Sequence, residues 1–515
     1  MNLLNSQDLI AAGYEPGPVI KDLLARVADY EARGISDPKY ALKLLKRDIG
    51  APPPKHVMRE RPVALAEAIV PDSKDERANV EAVRRQMHQL LKTPVIARGV
   101  ILPDACPAGK APAEIPVGGA IAVENAIIPS AHSADICCSM FATFSEERSS
   151  VAKELDALVS STRFGPEHRH LDDLVPDPVN DENVWQIRFL RGLRDRARTQ
   201  IADQGDGNHF AYLGEVEVDA ALLAMLRLTG HGDLAARFDL TEEGAPKRYR
   251  VLVTHHGSRS LGAHVFKRGQ IAAEKHVART AQHIPAAAAW LDAKSDSGRD
   301  YWDALQYVAR WTKANHRAIH RRFLERIGGR SVAEVGNEHN FVWQRGDTFF
   351  HGKGATPAWK DADGRPQLGL IPLNMAEPIL LVLGGDRDEF LSFAPHGAGR
   401  NLSRTAMRRQ FPDESSRRHA IERSTDGIDV RWFCGKPDLS ETPPAYKDAA
   451  KVKAQIRGFG LAEVIAEIRP LGCIMAGDSG RSWRDREEEL TPKQKRQIEH
   501  RAERRRVSRD LKDEW

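Results

Sequence analysis

The rhythm of apolar and polar positions changes along this chain. As far as about residue 67 the apolar residues fall at helical spacing, most clearly from Tyr40 to Arg47, and Pro52-Pro53-Pro54 breaks the pattern. That stretch predicts helix and loop. From about Val95 to Met140 the texture becomes short apolar runs cut by Gly and Pro: Val95-Ile96-Ala97, Val100-Ile101-Leu102 and Val117 to Val123. Runs of this kind predict strands and turns. Further strands are expected at Tyr249–Thr254, Phe341–Trp343 and Ile379–Leu383, an extended apolar stretch at Phe390–Phe393, and a helix from Trp302 to Arg326. No internal repeat interrupts the mixture. Strands and helices are interleaved throughout, which favours one large integrated α+β domain over separable modules. Beyond Gly477 apolar residues become scarce. Thr491-Pro492 there forms an N-cap and first-turn pair for a charged helical tail running to about Lys512. The expected organisation is an N-terminal helical segment over 1–94 packed on the core, a main domain over 95–478 and a charged tail over 479–515.

Composition narrows the class. A chain of 515 residues with 41% hydrophobic content can bury a large core. It shows no run of about 18 apolar residues and no basic-then-apolar N-terminal leader, so the expectation is a cytoplasmic protein without a membrane span. Five cysteines, Cys106, Cys137, Cys138, Cys434 and Cys473, are few and odd in number, which argues against a disulfide framework and leaves thiols for metal binding. A formal charge of +4 is close to neutral. The local cluster Arg404, Arg408, Arg409, Arg417 and Arg418 says more, since it would set a basic surface beside the motif at 396–400.

That motif is His396-Gly397-Ala398-Gly399-Arg400. Glycines let backbone N–H groups approach an anion, an arginine can hold a phosphate with paired hydrogen bonds, and an imidazole at the loop mouth can attack phosphorus. A tight turn with a surface histidine is the competing explanation for this segment alone. The rest of the chain supplies partners. Asp135 and Cys138 stand three apart, with Cys137 as an alternative thiol that chemistry alone does not exclude. His209 follows Gly205-Asp206-Gly207-Asn208, His255-His256-Gly257-Ser258-Arg259 ends a strand, and His339 precedes Asn340. Carboxylate, thiolate and imidazoles together suit Mn²⁺, Zn²⁺, Fe²⁺ or Co²⁺ and not an all-oxygen Mg²⁺ or Ca²⁺ site.

Taken in order, these segments resemble the RtcB family of RNA-splicing ligases. The family's Asp-x-x-Cys, Gly-Asn-His-Phe, His-x-Gly-Ser-Arg and His-Asn motifs fall at 135–138, 207–210, 255–259 and 339–340. Its His-Arg-Lys-Gly-Ala-Thr is close to 351–356, its His-Gly-Ala-Gly-Arg is intact at 396–400, and its Ala-Tyr-Lys-Asp stands at 445–448. Pro103-Asp104 and Arg469-Pro470-Leu471-Gly472 extend the match to roughly residues 95–475. The resemblance implies a β-sandwich-like core wrapped by helices and two Mn²⁺ ions held by Asp135, Cys138, His209, His255 and His339, with Cys138 bridging. It implies GTP as the nucleotide, contacted by Asn208, Phe210, Tyr212, Asn340, Pro372, Asn374, Met375, Gly397, Ala398, Gly399 and Tyr446. It makes His396 the residue that becomes guanylylated, and gives phosphate or RNA contacts to Asp104, Arg259, Lys353, Arg400 and Arg404. The implied reaction joins an RNA 3′-phosphate or 2′,3′-cyclic phosphate to a 5′-hydroxyl, with RNA and an archease-type activator as partners.

The chain also departs from the family pattern. Where the family ends in Lys-Gly against the guanine, this sequence reads Cys473-Ile474-Met475-Ala476. The family's Pro-Gly-Ser-Met-Gly is Pro372-Leu373-Asn374-Met375-Ala376, its Glu two positions after Phe210 is Tyr212, and the His of its Pro-Asp-x-His is Cys106. Its Asp-x-Gly-Cys-Gly-Met has become 135–140, with Cys137 and Ser139 in place of glycines. The metal set and nucleophile survive while the base-recognition residues change, the mark of a divergent paralogue. Two other readings stand beside the ligase: a dinuclear phosphoesterase that opens cyclic phosphates, and an RNA-end-binding protein that has lost nucleotide transfer.

Overall fold

The computed structural model describes residues 3–478 apart from 15–16, 51–55, 110, 166, 403–406, 408 and 412. The tail over 479–515, with its expected helix from Thr491, and Arg404 and Arg408 lie outside the described residues. The class is α+β, as the interleaved pattern predicts.

A large, strongly curved sheet forms the core. Its strands run in the order Ala333–Glu338, Ser139–Ser145, Lys247–His256, Phe210–Val218, Ala462–Met475, Ile379–Gly384 and Leu368–Ile371, with Asp429–Trp432 parallel to the last part of Ala462–Met475. The two outer strands approach each other, and the Asn337 side chain clasps them by accepting from Leu370 N at 2.8 Å and donating to Leu370 O at 3.3 Å. The sheet therefore nearly closes. Strand alternation fills its inside with Met140, Ala142, Phe144, Tyr212, Val251, Val253, Val335, Leu381 and Ile468. Each Val, Leu, Ile, Met or Phe among them, fully buried, contributes about 2 kcal/mol. Register carries this inward face to one rim, because His255 pairs with both Met140 and Phe210, and Met140 also pairs with Asn337.

A second sheet of five strands, in the order Phe341–Arg345, Thr348–Lys353, Val117–Glu124, Ile96–Cys106 and Leu65–Glu67, lies alongside. Val100, Leu102, Ala120 and Ala122 of this sheet share an apolar layer with Ile371, Leu380 and Val382 of the first, which gives the core its sandwich character. The expected strands at 249–254, 341–343 and 379–383 lie within longer observed strands.

Helices cover the outside. Asp296–Ile327 is capped by Ser295, whose side chain accepts from Gly298 N, and ends on the left-handed Gly328, at φ +63°. Its inner face places His316 and His320 against Ser139, Thr143 and Thr254 of the large sheet. The N-terminal segment divides into two parts. Helices Ser6–Ala11, Pro18–Ala32 and Pro38–Asp48 bury Leu9, Leu23, Val27, Tyr30 and Leu45 in a cluster of their own, whereas Lys74–Leu90 joins the main core through Val80, Val83, Met87 and Leu90. One local expectation fails. Phe390–Phe393 is not an extended run: Asp388–Phe390 is a short 3-10 turn, Leu391 and Ser392 have φ +54° and +53°, and extension begins only at Phe393–Pro395.

Candidate active site

The closed rim of the large sheet gathers the expected ligands. Cys138 immediately precedes strand Ser139–Ser145, His255 is near the end of Lys247–His256, His209 immediately precedes Phe210–Val218, and His339 follows Ala333–Glu338. Cys138 Sγ stands 3.1 Å from His255 Nε2 and 3.7 Å from His209 Nε2. His209 Nε2 is 2.9 Å from Asp135 Oδ2, and His255 Nε2 is 3.1 Å from His339 Nε2. Two donor groups result, Asp135/Cys138/His209 and Cys138/His255/His339, and in each the donor atoms lie within 4.8 Å of one another. They share the Cys138 sulfur.

The structure separates the two thiols. Cys137, at φ +57°, donates its N–H to Asn340 O at 2.9 Å and packs in the apolar core, while Cys138 O accepts from His339 N at 2.8 Å. The loops carrying Asp135–Cys138 and His339–Asn340 thus hold one another in place. The imidazoles are oriented too: His209 Nδ1 lies 2.9 Å from Gln204 O and His255 Nδ1 lies 3.2 Å from Asn208 O. Donation there leaves both Nε2 lone pairs facing the sulfur. Burial, reinforced by His209 and His396, lowers His255 to about 3, and burial with His396 and His255 holds His339 well below the usual range. Both rings are neutral donors. Burial with Asp135 raises the Cys138 thiol well above its usual range. A buried thiol among neutral imidazoles and a carboxylate fits a pair of divalent transition ions sharing a thiolate, because a bound cation deprotonates such a sulfur.

His396 follows strand Phe393–Pro395, and its ring centroid lies 4.9 Å from that of His339. Its Nδ1 lies 2.5 Å from Oδ2 of Asp104, a carboxylate with no solvent exposure. With the Nδ1 proton donated to Asp104, the lone pair sits on Nε2. Asp104, expected at the phosphate or RNA, stands sealed beneath the imidazole, where it orients His396. Among the described residues, the N–H groups of Gly397, Ala398 and Gly399 enter no backbone hydrogen bond. Gly399 has φ +74°, and a Cβ there would lie 2.2 Å from Asp104 O. Only glycine suits that position.

A cavity of about 310 Å³ opens beside His396, and all the residues expected to contact the nucleotide line it: Asn208, Phe210, Tyr212, Asn340, Pro372, Asn374, Met375, Gly397, Ala398, Gly399 and Tyr446. The expected phosphate contacts divide. Lys353 and Arg400 line the cavity, with Lys353 Nζ donating to Ile115 O at 3.1 Å and Arg400 pairing with Glu441 at 3.2 Å beneath the Tyr446 ring. Arg259 does not line it. Its guanidinium donates to Gly165 O at 2.7 Å and faces Asp203 at 3.6 Å, so it braces the loop around Gly205. Sequence reasoning missed Glu441, Ser133, Val117 and Ile379 in the lining. Of these, only Glu441 carried a signal, its place shortly before the Ala445-Tyr446-Lys447-Asp448 motif.

The family described as tRNA-splicing ligase RtcB matches residues 181–476, more than half of the chain. Among curated relatives, an RNA-splicing ligase RtcB2 of Escherichia coli is 25% identical over 422 residues, covering 79% of this chain and 95% of that protein. A tRNA-splicing ligase RtcB of Aeropyrum pernix is 25% identical over 57% of this chain and 64% of its own length. One of Archaeoglobus fulgidus is 28% identical over 54% of this chain and 60% of its own length.

Proposed function

The chain belongs to the RtcB family, and from that premise we propose that it is an RNA ligase working through a nucleotidyl-His396 intermediate. The observation that carries the proposal is the pair His396–Asp104 set beside the His339 side of the donor cluster. An RNA-end-binding protein gives no role to a nucleophile oriented in this way.

In this reading Asp104 keeps the Nδ1 proton on His396, and Nε2 attacks the α-phosphorus of a nucleoside triphosphate. Pyrophosphate leaves as the N–P bond forms. An RNA 3′-phosphate oxygen then attacks the same phosphorus, which frees His396 and leaves the RNA end activated. Attack by a 5′-hydroxyl on the RNA phosphorus releases the nucleoside monophosphate and seals the strand, and a 2′,3′-cyclic phosphate is first hydrolysed to the 3′-phosphate. Asp135, Cys138 and His209 would hold one ion and Cys138, His255 and His339 the other, Mn²⁺ being the proposed metal. When bound, the ions neutralise phosphate charge and orient the attacking groups. Lys353 and the Gly397–Gly399 amides cradle the phosphates. RNA ends are the proposed substrate, with an archease-type activator as partner.

The test is to incubate metal-loaded protein with α-³²P-labelled nucleoside triphosphates and resolve it on a denaturing gel. Wild type takes up acid-labile, alkali-stable label, and His396→Ala takes up none while retaining its metal. Equal labelling of the two proteins would remove His396 from the mechanism.

A further inference from the structure

We infer that the base end of this cavity selects adenine over guanine, so that ATP is the nucleotide donor. The inference rests on the nucleotidyl-His396 reading.

The cavity has two differently built sides. Near His396 it is polar, with Lys353, Arg400 and Glu441; Glu441 is engaged by Arg400 at 3.2 Å and by the Tyr446 hydroxyl at 2.7 Å. The other side runs inward from the rim of the sheet and is apolar. Its wall is a cross-strand ladder: Phe210 pairs with Met475 and Tyr212 with Cys473 on antiparallel neighbours, and Met375 packs with Phe210, Cys473 and Met475. A triphosphate whose α-phosphorus lies at His396 sends its base to this apolar side.

The wall offers flat and polarisable surfaces but few polar partners. The backbone groups of its two strands are taken up by strand pairing, and the Tyr212 hydroxyl donates to Ile468 O at 2.8 Å, away from the cavity. The thiol of Cys473 is buried, and burial raises it to about 12, so it carries no charge. Asn374 is the polar side chain next to Met375. Its Oδ1 accepts from Ala376 N at 2.9 Å, which directs its amide N–H groups outward as donors. A donor suits a ring nitrogen of adenine. Guanine brings an N1–H and an amino group that together suit a carboxylate, and among the described residues the carboxylate lining the cavity, Glu441, is engaged by Arg400 and Tyr446 on the opposite side. Each buried donor left unpaired costs about tenfold or more in binding. Aromatic and thioether contacts favour a purine over the smaller pyrimidines.

The experiment measures the concentration of each α-³²P-labelled nucleoside triphosphate that half-maximally labels Mn²⁺-loaded wild type. The expected result is a value for ATP at least tenfold below that for GTP. Met475→Gln, which adds a carbonyl acceptor to the wall, should narrow that ratio. Labelling by GTP or a pyrimidine nucleotide at equal or lower concentration than ATP overturns the inference but leaves the nucleotidyl-histidine reading standing. Absence of label with all four nucleotides removes both.

Discussion

Asp104→Asn isolates the contact on which the nucleophile depends. The carboxylate lies 2.5 Å from His396 Nδ1 and is fully buried, so the substitution changes charge and donor pattern with little change of shape. A hydrogen bond to a charged group contributes about 1.5–3 kcal/mol, and a decade of rate is about 1.4 kcal/mol, so its loss slows labelling about tenfold to a hundredfold. The effect grows if the new amide turns its NH₂ toward the ring. His396 must then accept at Nδ1 and carry its proton on Nε2, where attack is blocked. Asp104 Oδ1 has no hydrogen-bond partner, so an NH₂ placed there instead is a buried donor unsatisfied at a cost of about 1–3 kcal/mol in stability. Single-turnover labelling followed beside thermal melting separates the two losses. A folded Asp104→Asn protein that labels at the wild-type rate would refute the reasoning.

Other substitutions test neighbouring parts of the account. Cys138→Ala should strip bound metal, measured by elemental mass spectrometry, whereas Cys137→Ala should retain it, because only the Cys138 sulfur joins both donor groups. Gly399→Ala should abolish labelling and lower the melting temperature, since the new Cβ meets Asp104 O at φ +74°. Buried His351 and His132 are lowered to about 3 and about 4, by burial first and, for His351, also by His132. Their ordinary value is 6.5, so both are neutral when folded and take up protons when unfolded. Their contribution is intact above 6.5 and is lost as pH falls toward the folded values, at about 1.4 kcal/mol per pH unit for each ring. Denaturant midpoints should fall from pH 7 to 5, and less steeply in His351→Gln; parallel slopes would count against this origin.

What the sequence made legible follows from where its signals lie. Val251–Val253 and Ile379–Leu383 are unbroken apolar runs because both faces of these strands are covered, so their existence was plain while their ends were not. The candidate donors were legible because they stand at strand ends, His209 and His255 close to motif glycines. Choosing Cys138 over Cys137 by geometry needed the positive φ at 137, which no residue pattern announces. Phe390–Phe393 misled for a related reason: an apolar run has the same composition whether it is extended or, as at Leu391 and Ser392, turned through left-handed backbone. The roles of Asp104, Arg259 and Asn337 depend on partners far away in the chain. Asp104 meets His396 across 292 positions and Arg259 meets Gly165 across 94, and local periodicity holds no record of either contact.

The central claim is strand joining through His396, and its most direct measurement is ligation of an RNA with a 3′-phosphate end to one with a 5′-hydroxyl end. Joined product is expected from metal-loaded wild type with a nucleoside triphosphate, and none from His396→Ala with the same metal content. Product from His396→Ala, or none from wild type with any of the four nucleotides, would contradict it.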